Sequence, residues 1–335
     1  MRTCNTHKYE VIKFKNTAPS YRYDGTEPLP AWQKKAREKL RELLGLPLES
    51  CPDEFSVEYE KQHPDYLEVR FTVQTEPGYY VPCHLLLPEC SKRSVPLTVC
   101  LSGHCSGMHV ALGIAKSERD ERMLAEWPHR AFAIRAVEEG RAALVIEARN
   151  FGECSLEGYG TTCTEAAKIA ILIGRTVIGE RVWDAMRILD AVFKRYGELD
   201  ASNVVCIGNS GGGTATYYLS CLDERITLSA PSCAVCNYET SLAYVPHCMC
   251  NHIPGIRKYF EMGDLGGMIA PRRLVIAAGK EDPEFLIEGT RDAFNTAMKV
   301  YEAAGVPERC ALIEGNGGHF MYSDQIWKKI HEMGF

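Results

Sequence analysis

The chain has 335 residues, of which 45% are hydrophobic and 24% charged, proportions that exclude collagen-like, disordered and coiled-coil classes. Its 38 basic and 44 acidic side chains give a net charge of −6 with no Lys/Arg-rich block, so nucleic-acid binding lacks its usual electrostatic support. No apolar run approaches the roughly 18 residues a membrane span needs.

The start, MRTCNTHKYEVIKF, has no apolar stretch of signal-peptide type, so a cytoplasmic location is expected. The 15 cysteines are then expected as free thiols rather than a disulfide frame. Residues 1–30 read as a polar, irregular arm. Residues 31–45, AWQKKAREKLRELLG, place Trp32, Ala36, Leu40 and Leu43 on one helical face, closed by Gly45 and Pro47. Residues 1–65 are thus expected to form an N-terminal helical arm packed on the main body.

From residue 66 the texture becomes β-rich. YLEVRFTVQT and YYVPCHLLLP flank Glu76-Pro77-Gly78, the pattern of a hairpin. Short apolar runs follow at Leu97–Leu101, Ala142–Ile146, Asn203–Ile207, Ile226–Ser229, Leu274–Ala278 and Cys310–Ile313. Helical patterns at 129–139, 180–197, 212–222 and 287–304 lie between them. This alternation predicts an α/β fold over 66–335, with a mostly parallel sheet flanked by helices. Two stretches, 104–128 and 231–270, are too long for plain connections and read as functional insertions.

The run NVVCIGNSGGGTATYYLS carries the strongest chemical signal. A β run ends in Gly208-Asn209-Ser210-Gly211-Gly212 and a helical stretch follows, the strand–turn–helix setting of a nucleophile elbow. A serine hydroxyl needs a base, which in turn needs an orienting carboxylate. In the chain order Ser, acid, His, the base is His319, after Gly317-Gly318 at a strand end. The carboxylate is Asp282 or its neighbour Glu281, in the loop after RRLVIAAG. Oxyanion donors are expected from the Gly211 N–H and from the loop Gly103-His104-Cys105-Ser106-Gly107, with Cys105 chosen over His104 and Ser106.

These residues resemble the acetyl xylan esterase-like family of α/β-hydrolases, relatives of the dienelactone hydrolases and prolyl oligopeptidases. The resemblance runs over 66–335. It rests on LSGHCSG, EARNFGE at 147–153, GRTVIGERVWD at 174–184 and GNSGGG. It continues through HCMCNHIPG at 247–255, IAPRRLVIAAGKEDPEF at 269–285 and GGHF at 317–320. It implies an α/β-hydrolase fold with an N-terminal helical extension. It also implies Ser210 as nucleophile, Asp282 as the acid and His319 as the base.

The expected reaction is hydrolysis of a short acyl ester, such as acetate, on a carbohydrate or small alcohol. The alternatives are a lactone hydrolase, a peptidase, or a non-catalytic binder on the same scaffold. His104, Tyr238, Tyr244 and Tyr259 are expected to wall the substrate pocket. Arg181, Trp183 and Asp184 read as structural. Cys233-x-x-Cys236 and His247-Cys248-x-Cys250-x-His252 approach metal-ligand spacing. The resemblance includes HCMCN without implying a metal, so neither metal nor cofactor is expected. A small-molecule or oligosaccharide ester is the expected partner; a fold of this size is also a candidate homo-oligomer, although no apolar stripe identifies an interface.

Overall fold

The structure, a computed structural model, describes residues 3–89, 94–156 and 160–335. Among these described residues nine strands form one sheet: β1 (Phe55–Gln62), β2 (Tyr66–Glu76), β3 (Tyr79–Pro88), β4 (Val95–Leu101), β5 (Ala142–Ile146), β6 (Leu199–Asn209), β7 (Leu228–Ser232), β8 (Arg273–Gly279) and β9 (Cys310–Gly315). Their order is β1-β2-β3-β5-β4-β6-β7-β8-β9. β2 and β3 make the expected hairpin, with Gly78 at φ 77° in the turn. From β5 to β9 every neighbouring pair is parallel.

The helices are α1 (Thr6–Lys15), α2 (Leu29–Leu44), α3 (Glu118–Glu126), α4 (Phe132–Glu138), α5 (Cys163–Leu172), α6 (Val177–Arg195), α7 (Gly211–Leu222), α8 (Met262–Gly266), α9 (Ile287–Ala303) and α10 (Ser323–Glu332). The period-2 alternation of the strands divides the core between them. Val99, Cys206 and Ile276 face the layer of α2, α6, α7 and α9. Cys100, Ile207 and Val275 face α4 and α10. Strands buried on both faces explain why β4 to β8 read as continuous apolar runs.

Three expectations about the N-terminal segment change. Thr6–Lys15, within the stretch read as irregular, forms α1. Phe55–Gln62 is not part of a helical arm; it is an edge strand paired antiparallel with β2. Phe55, Val57 and Tyr59 alternate with Ser56, Glu58 and Glu60, the pattern of a strand with one face toward solvent. In α2 the residue that completes the buried face is Leu44, with Leu43 only partly buried beside it. The arm is anchored through its polar groups. Trp32 Nε1 donates to the Tyr21 carbonyl at 2.9 Å, and Gln33 Nε2 donates to the carbonyls of Gly267 and Ala270 at 2.9 and 2.6 Å.

Candidate active site

A parallel sheet delivers the carboxyl ends of its strands to one rim, and the loops there build the site. β6 ends at Asn209, and Ser210 follows with φ 54° and ψ −126°, a backbone region that side-chain-bearing residues rarely adopt. The turn holds because its flanking positions carry no Cβ. A Cβ on Gly208 would lie 2.5 Å from the Gly212 carbonyl oxygen, and one on Gly212 would lie 2.0 Å from that of Leu101. The Ser210 N–H is fixed by the Ser232 carbonyl at 2.9 Å, while its side chain makes no cap bond to α7. The hydroxyl therefore sits at a helix N-terminus, where dipole and free N–H groups favour negative charge.

Asp282 follows β8 and His319 follows β9. His319 Nδ1 and Asp282 Oδ2 are 2.9 Å apart. Asp282 Oδ1 accepts from the backbone N–H groups of Glu284 (2.9 Å) and Phe285 (3.1 Å). Burial penalises the Asp282 carboxylate. The His319 hydrogen bond and charge, with the two backbone donors, outweigh that and hold its pKa below the ordinary value. Phe285 stacks on the His319 ring, with an interplanar angle of 13°. His319 Nε2 is buried, makes no hydrogen bond among the described residues, and lies 4.0 Å from Glu284 Oε2. Among the described residues His319 pairs with Asp282 rather than with Glu281, whose N–H donates to the Gly317 carbonyl at 2.9 Å.

Ser210 and His319 line one cavity of about 230 Å³, together with His104, Arg130, His247, Asn251 and Glu284 among others. The three tyrosines expected there lie elsewhere. Tyr238 and Tyr244 line a separate cavity of about 530 Å³ with α1 residues such as Val11 and Phe14. Tyr244 meets Phe14 edge-on at 5.9 Å and Tyr259 meets Tyr21 at 5.8 Å. The aromatics of the 231–270 insertion therefore hold the N-terminal arm, because the arm covers the face they present.

The Cys105 thiol is buried and turned to the Gly107 carbonyl at 3.3 Å, and the residue does not line the cavity. Its neighbours do approach the nucleophile. A Cβ on Gly103 would lie 3.1 Å from Ser210 Cβ, and one on Gly211 would lie 3.0 Å from His104 Nδ1.

The cysteine and histidine residues are gathered differently from their spacing in the chain. Among the described cysteines none is in a disulfide. Cys233 lies against the Asp282–His319 pair, and Cys236 Sγ contacts Thr240 and the Leu286 carbonyl. His247 donates to the Glu284 carbonyl at 2.8 Å, and His252 contacts the carbonyls of Cys248 and Leu242. His104, Cys163, Cys248 and Cys250 instead bring one donor atom each within 4.8 Å of the others. Hydrogen bonding from Cys248 and Cys250, helped by His104 and Arg181, pulls the Cys163 thiol below its ordinary range. Cys163 carries no sequence signal, being 59 residues from His104.

Residues 8–314 match the model of the Abhydrolase family. The chain belongs to that family. This abhydrolase is similar in fold to a protein named as an acetyl xylan esterase from Bacteroides fragilis NCTC 9343, with TM-score 0.84, 17% identity and 99% and 96% of the two chains covered. It is also similar to a glucuronoyl esterase from Solibacter usitatus, with TM-score 0.68, 15% identity and 95% and 98% covered. A protein named as a hydrolase, YtaP of Bacillus subtilis (strain 168), is 23% identical over 184 residues, 54% of this chain. The matched region spans 60% of that curated relative's length. The α/β-hydrolase fold expected from the motifs is thus the fold observed; at these identities the structural likenesses establish fold alone.

Proposed function

We propose that the protein is a serine carboxylic-ester hydrolase that removes short acyl groups, acetyl above all, from a carbohydrate or small polar alcohol. The observation that carries this reading is the meeting of a strained Ser210 and the Asp282-held His319 in one cavity. In the first half-reaction His319 Nε2 takes the Ser210 proton as Oγ forms a bond to the ester carbonyl carbon. The oxyanion is stabilised by the Gly211 N–H and by the Gly103–His104 peptide, which replaces Cys105 as the donor from the loop. The intermediate then expels the alkoxide, which leaves with the proton held by His319. Water, deprotonated by the same imidazole, attacks the acyl-serine; the proton returns to Ser210 Oγ as the carboxylic acid leaves. Asp282 keeps the Nδ1–H tautomer and steadies the imidazolium.

A cavity of about 230 Å³ edged by Arg130, His247, Asn251 and Glu284 suits a small acyl group on a hydroxyl-rich alcohol better than a long apolar chain. The fold likenesses to carbohydrate esterases point the same way. The test is a panel of p-nitrophenyl esters of rising chain length plus acetylated sugars, with wild type and Ser210→Ala side by side. Wild type should favour acetyl and the variant should fall to background. Equal rates would reject the nucleophile, and preference for long chains would reject the acyl assignment.

A further inference from the structure

Among the described residues, His104 Nε2 lies 3.4 Å from Cys250 Sγ and 3.7 Å from Cys163 Sγ, with Cys248 completing the group inside 4.8 Å. Zinc with Zn–S near 2.3 Å and Zn–N near 2.0–2.1 Å in a tetrahedron requires N···S edges of about 3.6 Å and S···S edges of about 3.8 Å. The two N···S separations straddle that value. From this we infer that His104, Cys163, Cys248 and Cys250 form a Cys3His zinc site that pins the loop after β4 to the start of α5 and to the 231–270 insertion.

The surroundings fit the charge of such a site. Three thiolates and a neutral imidazole around a divalent cation leave one net negative charge. Arg181, a buried residue of α6, donates Nη2 to Cys163 Sγ at 3.2 Å, and its Nη1 is buried without a partner among the described residues. Its Nε and Nη2 are held by the Arg149 carbonyl at 3.1 and 2.9 Å, so the cation is fixed beside the sulfurs. Arg181, which reads as structural from the sequence alone, thereby gains an electrostatic purpose.

Four protein ligands close the shell, so the zinc is structural and leaves no position for water or ester. Its bearing on the proposed chemistry is through position. Coordination at Nε2 leaves the His104 proton on Nδ1, the edge lying against Gly211, and immobilises the Gly103–His104 peptide beside Ser210. The site would exist whether or not Ser210 is the nucleophile, and it is tested without any turnover.

Protein purified without chelator should contain one zinc per chain by elemental mass spectrometry. Reduced, metal-stripped protein titrated with Co2+ should show the intense visible d–d bands of a tetrahedral site and thiolate charge-transfer absorption. In Cys163→Ser the charge-transfer intensity should fall by about a third, one thiolate of three being lost. In Cys51→Ser, outside the group, both signals should match wild type. Wild-type protein that neither co-purifies with zinc nor develops the Co2+ bands overturns the inference. So does intact mass showing a native Cys163 disulfide. Neither result bears on the esterase reading, which stands or falls on Ser210→Ala.

Discussion

Replacing Asp282 by Asn separates the orienting role of this residue from its structural role, because its two oxygens do different work. Oδ1 accepts from the Glu284 and Phe285 N–H groups, and an amide oxygen can do the same. Oδ2 faces His319 Nδ1 at 2.9 Å, and there Asn presents an NH2 group. Two donors cannot face each other, so His319 takes the tautomer with its proton on Nε2 and can no longer accept one from Ser210. The expected loss in kcat is about 10⁴-fold, or roughly 5.5 kcal/mol of transition-state stabilisation. Folding should suffer far less, about 1–2 kcal/mol, since one charge-assisted hydrogen bond is lost while two backbone donors stay satisfied. Initial rates on p-nitrophenyl acetate, with urea unfolding followed by circular dichroism, measure both effects. Glu281→Gln, at a side chain with no ion pair to His319 among the described residues, should stay within about twofold of wild type. A folded Asp282→Asn protein retaining activity within about tenfold of wild type would refute the triad assignment.

Gly212→Ala should destabilise the fold by about 3 kcal/mol, because the new Cβ would sit 2.0 Å from the backbone oxygen of Leu101, which cannot swing away. A urea midpoint unchanged from wild type would show that the elbow has room the structure denies. Glu147 makes a pH prediction. Burial pushes its pKa up to about 7, against the pull of the Met108 and Glu153 N–H groups. A raised folded-state value means that its stabilising contribution is complete below the ordinary carboxylate range and is lost as pH climbs to about 7. Over that interval the native state should lose about 3 kcal/mol relative to Glu147→Gln. Parallel stability–pH curves for the two proteins would contradict it.

The legible parts of this molecule are those that depend on residues adjacent in the chain. An apolar run bounded by turn residues announces a strand wherever both faces are covered, so β4 to β8 show plainly. β1, with one face toward solvent, carries instead the alternation of Phe55, Val57 and Tyr59 with polar residues. The elbow is local in its signature, the glycines on either side of Ser210, although Gly212 is pressed by the Leu101 carbonyl of β4, a sheet neighbour distant in the chain. Because parallel strands share one rim, knowing that Ser210, Asp282 and His319 each follow a strand is enough to expect them near one another.

What only tertiary structure decided is where loop side chains point. The tyrosines of the 231–270 insertion are claimed by an arm more than two hundred residues earlier, and no spacing within the insertion foretells that. Cysteines at 233 and 236 look like ligands in a line of text, yet the strand turn aims one at Asp282 and the other at Thr240. The group that does assemble draws His104 from the loop after β4, Cys163 from the start of α5, and Cys248 and Cys250 from the 231–270 insertion. Short-range sterics write strands and turns into the order of the residues, whereas donor geometry is set by packing among distant segments.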